Sequence, residues 1–365
     1  MAGEGKSLHR ISEGRRRLLR SSAGALLLAQ PVLLGLAAAP GRSTNVRTAG
    51  ARGDGLRDDT AAFQKAIDAM APTGGTVEVP AGRYLIDPVR SVRLRSGVNL
   101  RMAPGARLMA KPNAATRAYV LLAEGVNGVE ISGGEIFGDR DAHLGSTGEW
   151  GHGLAIRGSS HVTVRNVTIS RCWGDGISIG AASQGRAEAR SSSDILIAGV
   201  RCLGNRRQGL TIGRSRRVRV IDSEFSDTHG TKPEYGIDIE PDRPGRAEGI
   251  TIERCVLRGN RGGGIQVYHR VSNVEIRDCT IEGNGFGIYT IATSDGVIAG
   301  NRINGNRHAG IALRSQTSGY HVEANHFAGN NTRLRLPGSV RRTSKGHVQV
   351  AQDARGNKVG ANRYE

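Results

Sequence analysis

The sequence predicts an all-β solenoid of short stacked strands with one helix at its N-terminal end. Three observations carry that prediction. A Gly-Ile or Gly-Leu step recurs at Gly153, Gly176, Gly209, Gly236, Gly264, Gly287 and Gly310, spaced by 23, 33, 27, 28, 23 and 23 residues. A Gly-Asn step runs in phase with it at Gly204, Gly259, Gly283, Gly305 and Gly329. Upstream of both, Phe63, Ala66, Ile67 and Met70 fall at i, i+3, i+4 and i+7, the spacing of one apolar helical stripe. A repeat in the twenties built on short β segments marks a solenoid, because one coil cannot bury its apolar face alone and its neighbours must do it.

The composition agrees. Of 365 residues 53 are Gly, with no collagen period, and only 4% are aromatic, so the chain is rich in turns and its core is not built on large rings. The four cysteines lack the close pairing of a zinc site. Cys255 and Cys279 fall at equivalent points of successive repeats and are expected to pack as small apolar groups.

Taken in order, the chain opens with Arg15-Arg16-Arg17-Leu18-Leu19-Arg20, then an uncharged, Leu- and Ala-rich stretch from Ser21 to Gly41. A basic segment, an apolar segment and small residues together predict an export signal over residues 1–42. Its basic run resembles the twin-arginine motif, with Gly14 where Ser or Thr is usual. Gly24, Gln30, Pro31 and Gly35 dilute the apolar stretch below what a spanning helix needs. The expectation is a periplasmic or extracellular protein with no membrane anchor after signal removal. The formal charge of +18 falls to +13 without residues 1–42, which favours a polyanionic partner. Export argues for an acidic polysaccharide over nucleic acid.

Residues 45–96 form the N-terminal cap and first strands. Asp58 or Asp59 caps a helix over 59–70, Thr73-Gly74-Gly75 ends it, and strands follow at Thr76–Pro80 and Gly82–Ile86. Residues 97–365 are the repeat, in the same domain. Asn tolerates the left-handed turns between strands, and stacked Asn side chains can hydrogen-bond along the solenoid.

The stretch Tyr235-Gly236-Ile237-Asp238-Ile239-Glu240 stands apart. Its period-two alternation sends both isoleucines inward and both carboxylates outward. Asp238 and Glu240 are therefore the candidate catalytic pair, and two oxygen ligands for Ca²⁺. Phase places Ser178, Thr211, Gln266 and Tyr268 on the same outer face. The adjoining turns add Trp173, Asp175, Arg206, Arg207, His229, Lys232, Tyr235, His269 and Arg270. Long insertions at Gly138–Trp150, Gly180–Ser193, Ser226–Glu234 and Pro241–Glu248 are expected to stand as two walls along this floor. Acids, cations and rings together suit a sugar acid, with rings on the pyranose and cations on its carboxylate. Arg207 or Arg270 is the expected carboxylate clamp, and Tyr235, Tyr268 or His229 the expected base. Asp175, in Gly174-Asp175-Gly176, is a further catalytic candidate. Gln266, Tyr268, His229, Lys232, Trp173 and Arg270 are expected to contact substrate.

Asp58-Asp59-Thr60-Ala61-Ala62-Phe63-Gln64 through Gly74-Gly75-Thr76-Val77-Glu78-Val79-Pro80-Ala81-Gly82-Arg83-Tyr84, followed by this repeat, resembles the pectate-lyase-like superfamily. The resemblance implies a right-handed parallel β-helix of about ten coils, with the helix over its open N-terminal end. That fold is shared by polygalacturonase-type glycosidases, mannuronan C5-epimerases and phage tailspikes, so it does not fix a reaction. Tyr235-Gly236-x-Asp238-x-Glu240 is also similar to the Tyr-Gly-Phe-Asp-Pro-His-Glu motif of the epimerases. Tyr235 and Asp238 match it, Ile239 stands at its Pro and Glu240 at its His, and the motif lies on an earlier coil in that family. Gly151-His152-Gly153 resembles a glycosidase motif, but the paired-Asp motifs expected upstream are missing, so His152 is read as coincidental. The leading expectation is an exported lyase- or epimerase-like enzyme acting on an acidic, uronate-containing glycan. A glycoside hydrolase using Asp238 and Glu240, and a non-catalytic glycan-binding or adhesin-like β-helix, are the alternatives.

Overall fold

Each coil contributes one strand to each of three long parallel sheets, so the chain forms a three-sided β-helix. The computed structural model describes residues 42–183, 188–331, 338–343 and 346–365; the export reading of residues 1–42 falls on residues outside them, Arg42 apart. The first sheet has twelve strands, from Ser43–Asn45 to Lys358–Val359. The second also has twelve, from Asp54–Asp58 to Arg363–Tyr364. The third has eleven, beginning at Val92–Arg93; Ser339–Thr343 closes its far end by pairing antiparallel with Val348–Ala351. Twelve strands exceed the ten coils expected, because Ser43–Asn45 and Gly75–Val79, assigned to the cap, already pair in the first sheet.

The helix Thr60–Met70 follows the predicted stripe, with Phe63, Ala66, Ile67 and Met70 buried. It also covers an edge. The Gln64 side chain accepts from the Arg93 N–H (2.9 Å) and donates to the Arg93 carbonyl (3.1 Å), occupying backbone groups of the first strand of the third sheet. No helix among the described residues is long and apolar enough to cross a membrane.

The Gly-Ile step has a steric cause. These glycines lie at the corner entering the third sheet, where a Cβ would point into the core. On Gly153 it would meet Ile169 at 2.5 Å, on Gly236 the Asn260 amide at 2.8 Å, and on Gly264 Ile281 at 2.6 Å. The residue that follows each glycine stacks in register, Leu210 on Ile237 on Ile265, all fully buried. Beside that corner the core holds a polar ladder. Asn260 donates to Asn284 (2.9 Å), Asn284 to Asn306 (3.2 Å) and Asn306 to Asn330 (2.8 Å). A second ladder runs from Asn301 through Asn325 to Asn362. In each case the same amide also donates to a core carbonyl, such as Phe225 for Asn260, so these buried polar groups are satisfied. Cys172, Cys202, Cys255 and Cys279 are buried free thiols.

Candidate active site

The four long insertions fall at the two ends of third-sheet strands. Residues 138–149 and 227–234 lead into that sheet; residues 181–191 and 240–246 leave it. Over the sheet's outer face lies a cleft of about 480 Å³, lined from these insertions by Glu149 and by Glu240, Pro241, Asp242 and Arg243; no described residue of the other two lines it. The walls are pinned by specific contacts. Arg140 donates to the Gly204 carbonyl (2.5 Å), and Arg206 donates to the carbonyls of Gly148 (3.0 Å) and Trp173 (3.2 Å). The His143 ring stacks on Trp173 at 4.0 Å, and the Arg206 guanidinium lies 3.7 Å from the same ring's centre. Two planar groups that close must take opposite faces of the indole. Trp173 is therefore a wall strut, not the sugar platform expected of it.

Tyr119, His152, Arg157 and Asp175 all line the cleft. Tyr119 and His152 are register partners on adjacent coils, and their rings stack at 5.5 Å. Arg157 pairs in register with Gly180, which has no side chain to oppose it. It lies across the floor, donating to the Ser178 carbonyl (2.6 Å) and hydroxyl (2.9 Å). Its guanidinium carbon is 5.8 Å from the Tyr119 ring centre. His152 Nδ1 accepts the Asp175 N–H at 3.0 Å. Burial, reinforced by Arg157, Arg207 and Arg117, pushes this imidazole well below its ordinary pKa. It is thus neutral, with its proton on Nε2.

Asp175 sits deeper. Arg207 reaches its two oxygens at 3.2 and 3.3 Å, and the Thr211 hydroxyl donates at 2.8 Å. Burial raises its carboxyl against the pull of Arg207 and Thr211. Burial works against Arg207 too, but the acids around it, Asp175 first, raise its pKa. Arg207 is thereby committed to Asp175 and to Glu149 (2.9 Å), which leaves it a poor substrate clamp. Arg270 is committed as well, donating to the carbonyls of Gly245 (3.1 Å) and Pro241 (2.6 Å) in a wall loop.

The outward phase of Asp238 is as expected, in register with Thr211 and Gln266, but its exposure is not. Asp238 is wholly buried and does not line the cleft. Gln208 donates to its Oδ2 (2.7 Å), and Oδ1 has no partner. Burial, with Glu240 nearby, holds its pKa well above the carboxylate range, so it keeps its proton. Tyr235 is also buried; burial and Asp238 raise its phenol, the wrong direction for a base. Gln266 is buried beside them, while Glu240 and Tyr268 do line the cleft. His229 and Lys232 are exposed on the 227–234 wall and do not line it. The acid pair does not fit Ca²⁺, which takes six to eight oxygens. One carboxyl is enclosed and protonated, and no group of three or more His, Cys, Asp or Glu among the described residues is placed to hold a metal.

The residues that sequence reasoning missed are Tyr119, Arg157 and His152, with Arg117, Glu149, Trp150, Asp242 and Arg243 on the rim. Arg157 was within reach. It holds the same position in Gly153-Leu154-Ala155-Ile156-Arg157 as Glu240 holds in Gly236-Ile237-Asp238-Ile239-Glu240.

The comparisons with known proteins fit this architecture. Residues 117–244 and 234–363 match the right-handed β-helix region family. The chain belongs to that family. Residues 43–127 of this β-helix protein also match the rhamnogalacturonase A/epimerase, pectate lyase-like family. It is similar to the uncharacterized protein YclG of Bacillus subtilis, 27% identical over 72% of this chain and 55% of that one, so it spans about half the length of this curated relative. A shorter match, 42% identical over 20% of this chain and 11% of the other, is to an exo-poly-α-D-galacturonosidase of Dickeya chrysanthemi. Among solved structures it resembles the A-module of the Azotobacter vinelandii mannuronan C-5 epimerase AlgE4, with 18% identity and a TM-score of 0.56 over 89% of this chain and 97% of that one. It also resembles the Streptococcus pneumoniae surface adhesin PfbA, with 17% identity and a TM-score of 0.60 over 89% and 91%. The protein is thus a right-handed β-helix, similar over part of its length to a polysaccharide-acting enzyme.

Proposed function

We propose that this β-helix is an enzyme acting on an acidic polysaccharide, abstracting the proton α to a uronate carboxylate in the cleft over the third sheet. The observation that carries this reading is Tyr119 in the cleft beside both the Arg157 guanidinium, 5.8 Å from its ring centre, and the stacked, neutral His152. A proton acceptor with a cation and a neutral imidazole beside it is the arrangement that proton abstraction needs. In the proposed step the Tyr119 phenolate takes the C5 proton, and the C–H electron pair delocalises into the uronate carboxylate. Arg117 or Arg243 on the rim would balance the developing charge. Expulsion of the O4 substituent, with protonation of the departing oxygen, gives an unsaturated uronate; return of a proton to the opposite face gives the C5 epimer. The charge of +13 beyond residue 42 suits such a polymer, and the export reading of residues 1–42 belongs to the same proposal.

The test is to incubate the purified protein with a panel of uronate polymers and follow ultraviolet absorbance, reducing ends and the polymer's NMR spectrum. Absorbance from the unsaturated product, or an epimerised spectrum, is expected, falling at least about 100-fold in Tyr119→Phe. Reducing ends without absorbance would move the assignment to hydrolysis, with the buried Asp175 and the cleft-lining Glu240 as its carboxyls. Binding without any reaction would make the adhesin comparison the better guide.

A further inference from the structure

Beyond the cleft, where the chain turns from the third sheet to the first, two smaller hollows lie on either side of Arg246. One, of about 190 Å³, is lined by Arg246, Arg270, Ser272, Ser294, Ser318 and Gln316 among others. The other, of about 280 Å³, is lined by Arg246, Arg214, Arg216 and Ser191 with the 244–245 turn. Arg270 lines both the first hollow and the cleft, and its bonds to Pro241 and Gly245 hold the intervening loop as a low saddle. Ser272, Ser294 and Ser318 are register partners on three successive coils, so their hydroxyls repeat at the coil spacing of ~4.8 Å. Glu248, paired in register with Ser272, is the one acid lining either hollow. Arg246 is exposed, and its guanidinium makes no ion pair among the described residues.

We propose that this corner is a second binding site for the same polymer: a chain seated in the cleft crosses the 241–246 saddle and lays a further acidic unit against Arg246 and the serine column. The inference rests on the acidic-polysaccharide reading and adds to it a dependence on chain length. Arg246 supplies the charge, with five N–H donors to match a carboxylate. The serine hydroxyls supply a donor on each coil, so a polymer can register along the corner without a single fixed stop. Arg214, bonded to the Ser191 hydroxyl at 3.2 Å, ties the neighbouring wall loop to the same corner.

The experiment compares the full chain with Arg246→Glu and, separately, Ser294→Asp, which sets a like charge on the column while leaving Arg246 in place. Affinity for a long polyuronate and for a uronate trisaccharide is measured by calorimetry, with turnover of each. Both variants are expected to bind the long polymer about tenfold more weakly, a change of about 1.4 kcal/mol, with a shallower salt dependence. Trisaccharide binding and turnover should stay as in the unaltered protein. Unchanged polymer affinity in both variants, with turnover intact, overturns the corner site alone. Equal loss on polymer and trisaccharide also overturns it, since the effect would then come from the cleft. Failure of the unaltered protein to bind either ligand overturns the acidic-polysaccharide reading together with the corner.

Discussion

The coils between residues 138 and 248 and the coils after residue 260 share one scaffold but handle buried polarity differently. After 260 a run of buried amides stacks in register, each giving and receiving along a ladder, while unmatched atoms such as His308 Nδ1 and Tyr364 Oη belong to side chains outside it. Between 138 and 248 several unmatched atoms belong to the long loops and the third-sheet strands and turns beside them: Asp238 Oδ1, Trp173 Nε1, Thr228 Oγ1 and His143 Nε2. An unmatched buried polar atom costs stability, and a site that does chemistry needs groups whose proton affinity has been moved. The regular coils hold the fold together, and the loop-covered coils spend some of that stability on perturbed groups.

Three experiments would break or sharpen this contrast. The largest effect is expected from Arg157→Gln in the loop-covered half. Turnover should fall at least about 100-fold, because the cation beside Tyr119 and His152 is lost, and Arg157→Lys should restore part of it. A loss that Arg157→Lys does not relieve would mean Arg157 only supports Ser178. Next is Asn284→Ala in the regular half. It removes two donated and two accepted bonds, with Asn260, Asn306 and the Leu257 carbonyl. A loss of about 3–5 kcal/mol in denaturant unfolding is expected, with turnover unchanged below the new midpoint. Parallel loss of activity and stability would erase the division between the halves.

The smallest effect is a pH dependence. Unfolded, Asp238 gives up its proton near pH 4; folded, it holds it to well above that. The native protein therefore binds the extra proton in a window opening at about pH 4, and its stability falls as pH rises through that window. Asp238→Asn removes this contribution. The variant should match the unaltered protein near pH 4 and exceed it at pH 7 by at least about 1 kcal/mol, the worth of one pKa unit. Equal stability at both values would show that Asp238 is ionised in the fold.

The repeat made most of the architecture readable. Gly-Ile steps mark a corner with no room for a side chain, and Gly-Asn steps mark the ladders, so coil phase and loop walls followed from spacing alone. Phase also put Asp238, Gln266 and Tyr268 on the correct side of the sheet. It could not say which outward positions stay open to solvent, because that depends on side chains such as Gln208, which bonds both Asp238 and the Tyr235 N–H from the preceding turn. Nor could it show that Arg207 and Arg270 are already engaged, since a guanidinium's partners come from distant stretches of chain. His152 was discounted for want of neighbouring motifs. Its value lies instead in stacking on Tyr119, which is 33 residues away in the chain.

The ladders also give the molecule a direction. Every link from Asn260 to Asn330, and from Asn301 to Asn362, hands its proton the same way along the axis. The amide dipoles therefore add head to tail, and no link depends on the total number. A coil copied from between Asn284 and Asn306 brings one donor, one acceptor and one corner glycine, the parts needed to rejoin the column on both sides. Length is thus an open variable of this scaffold, whereas the cross-section of the core, fixed at the glycine corner, is not.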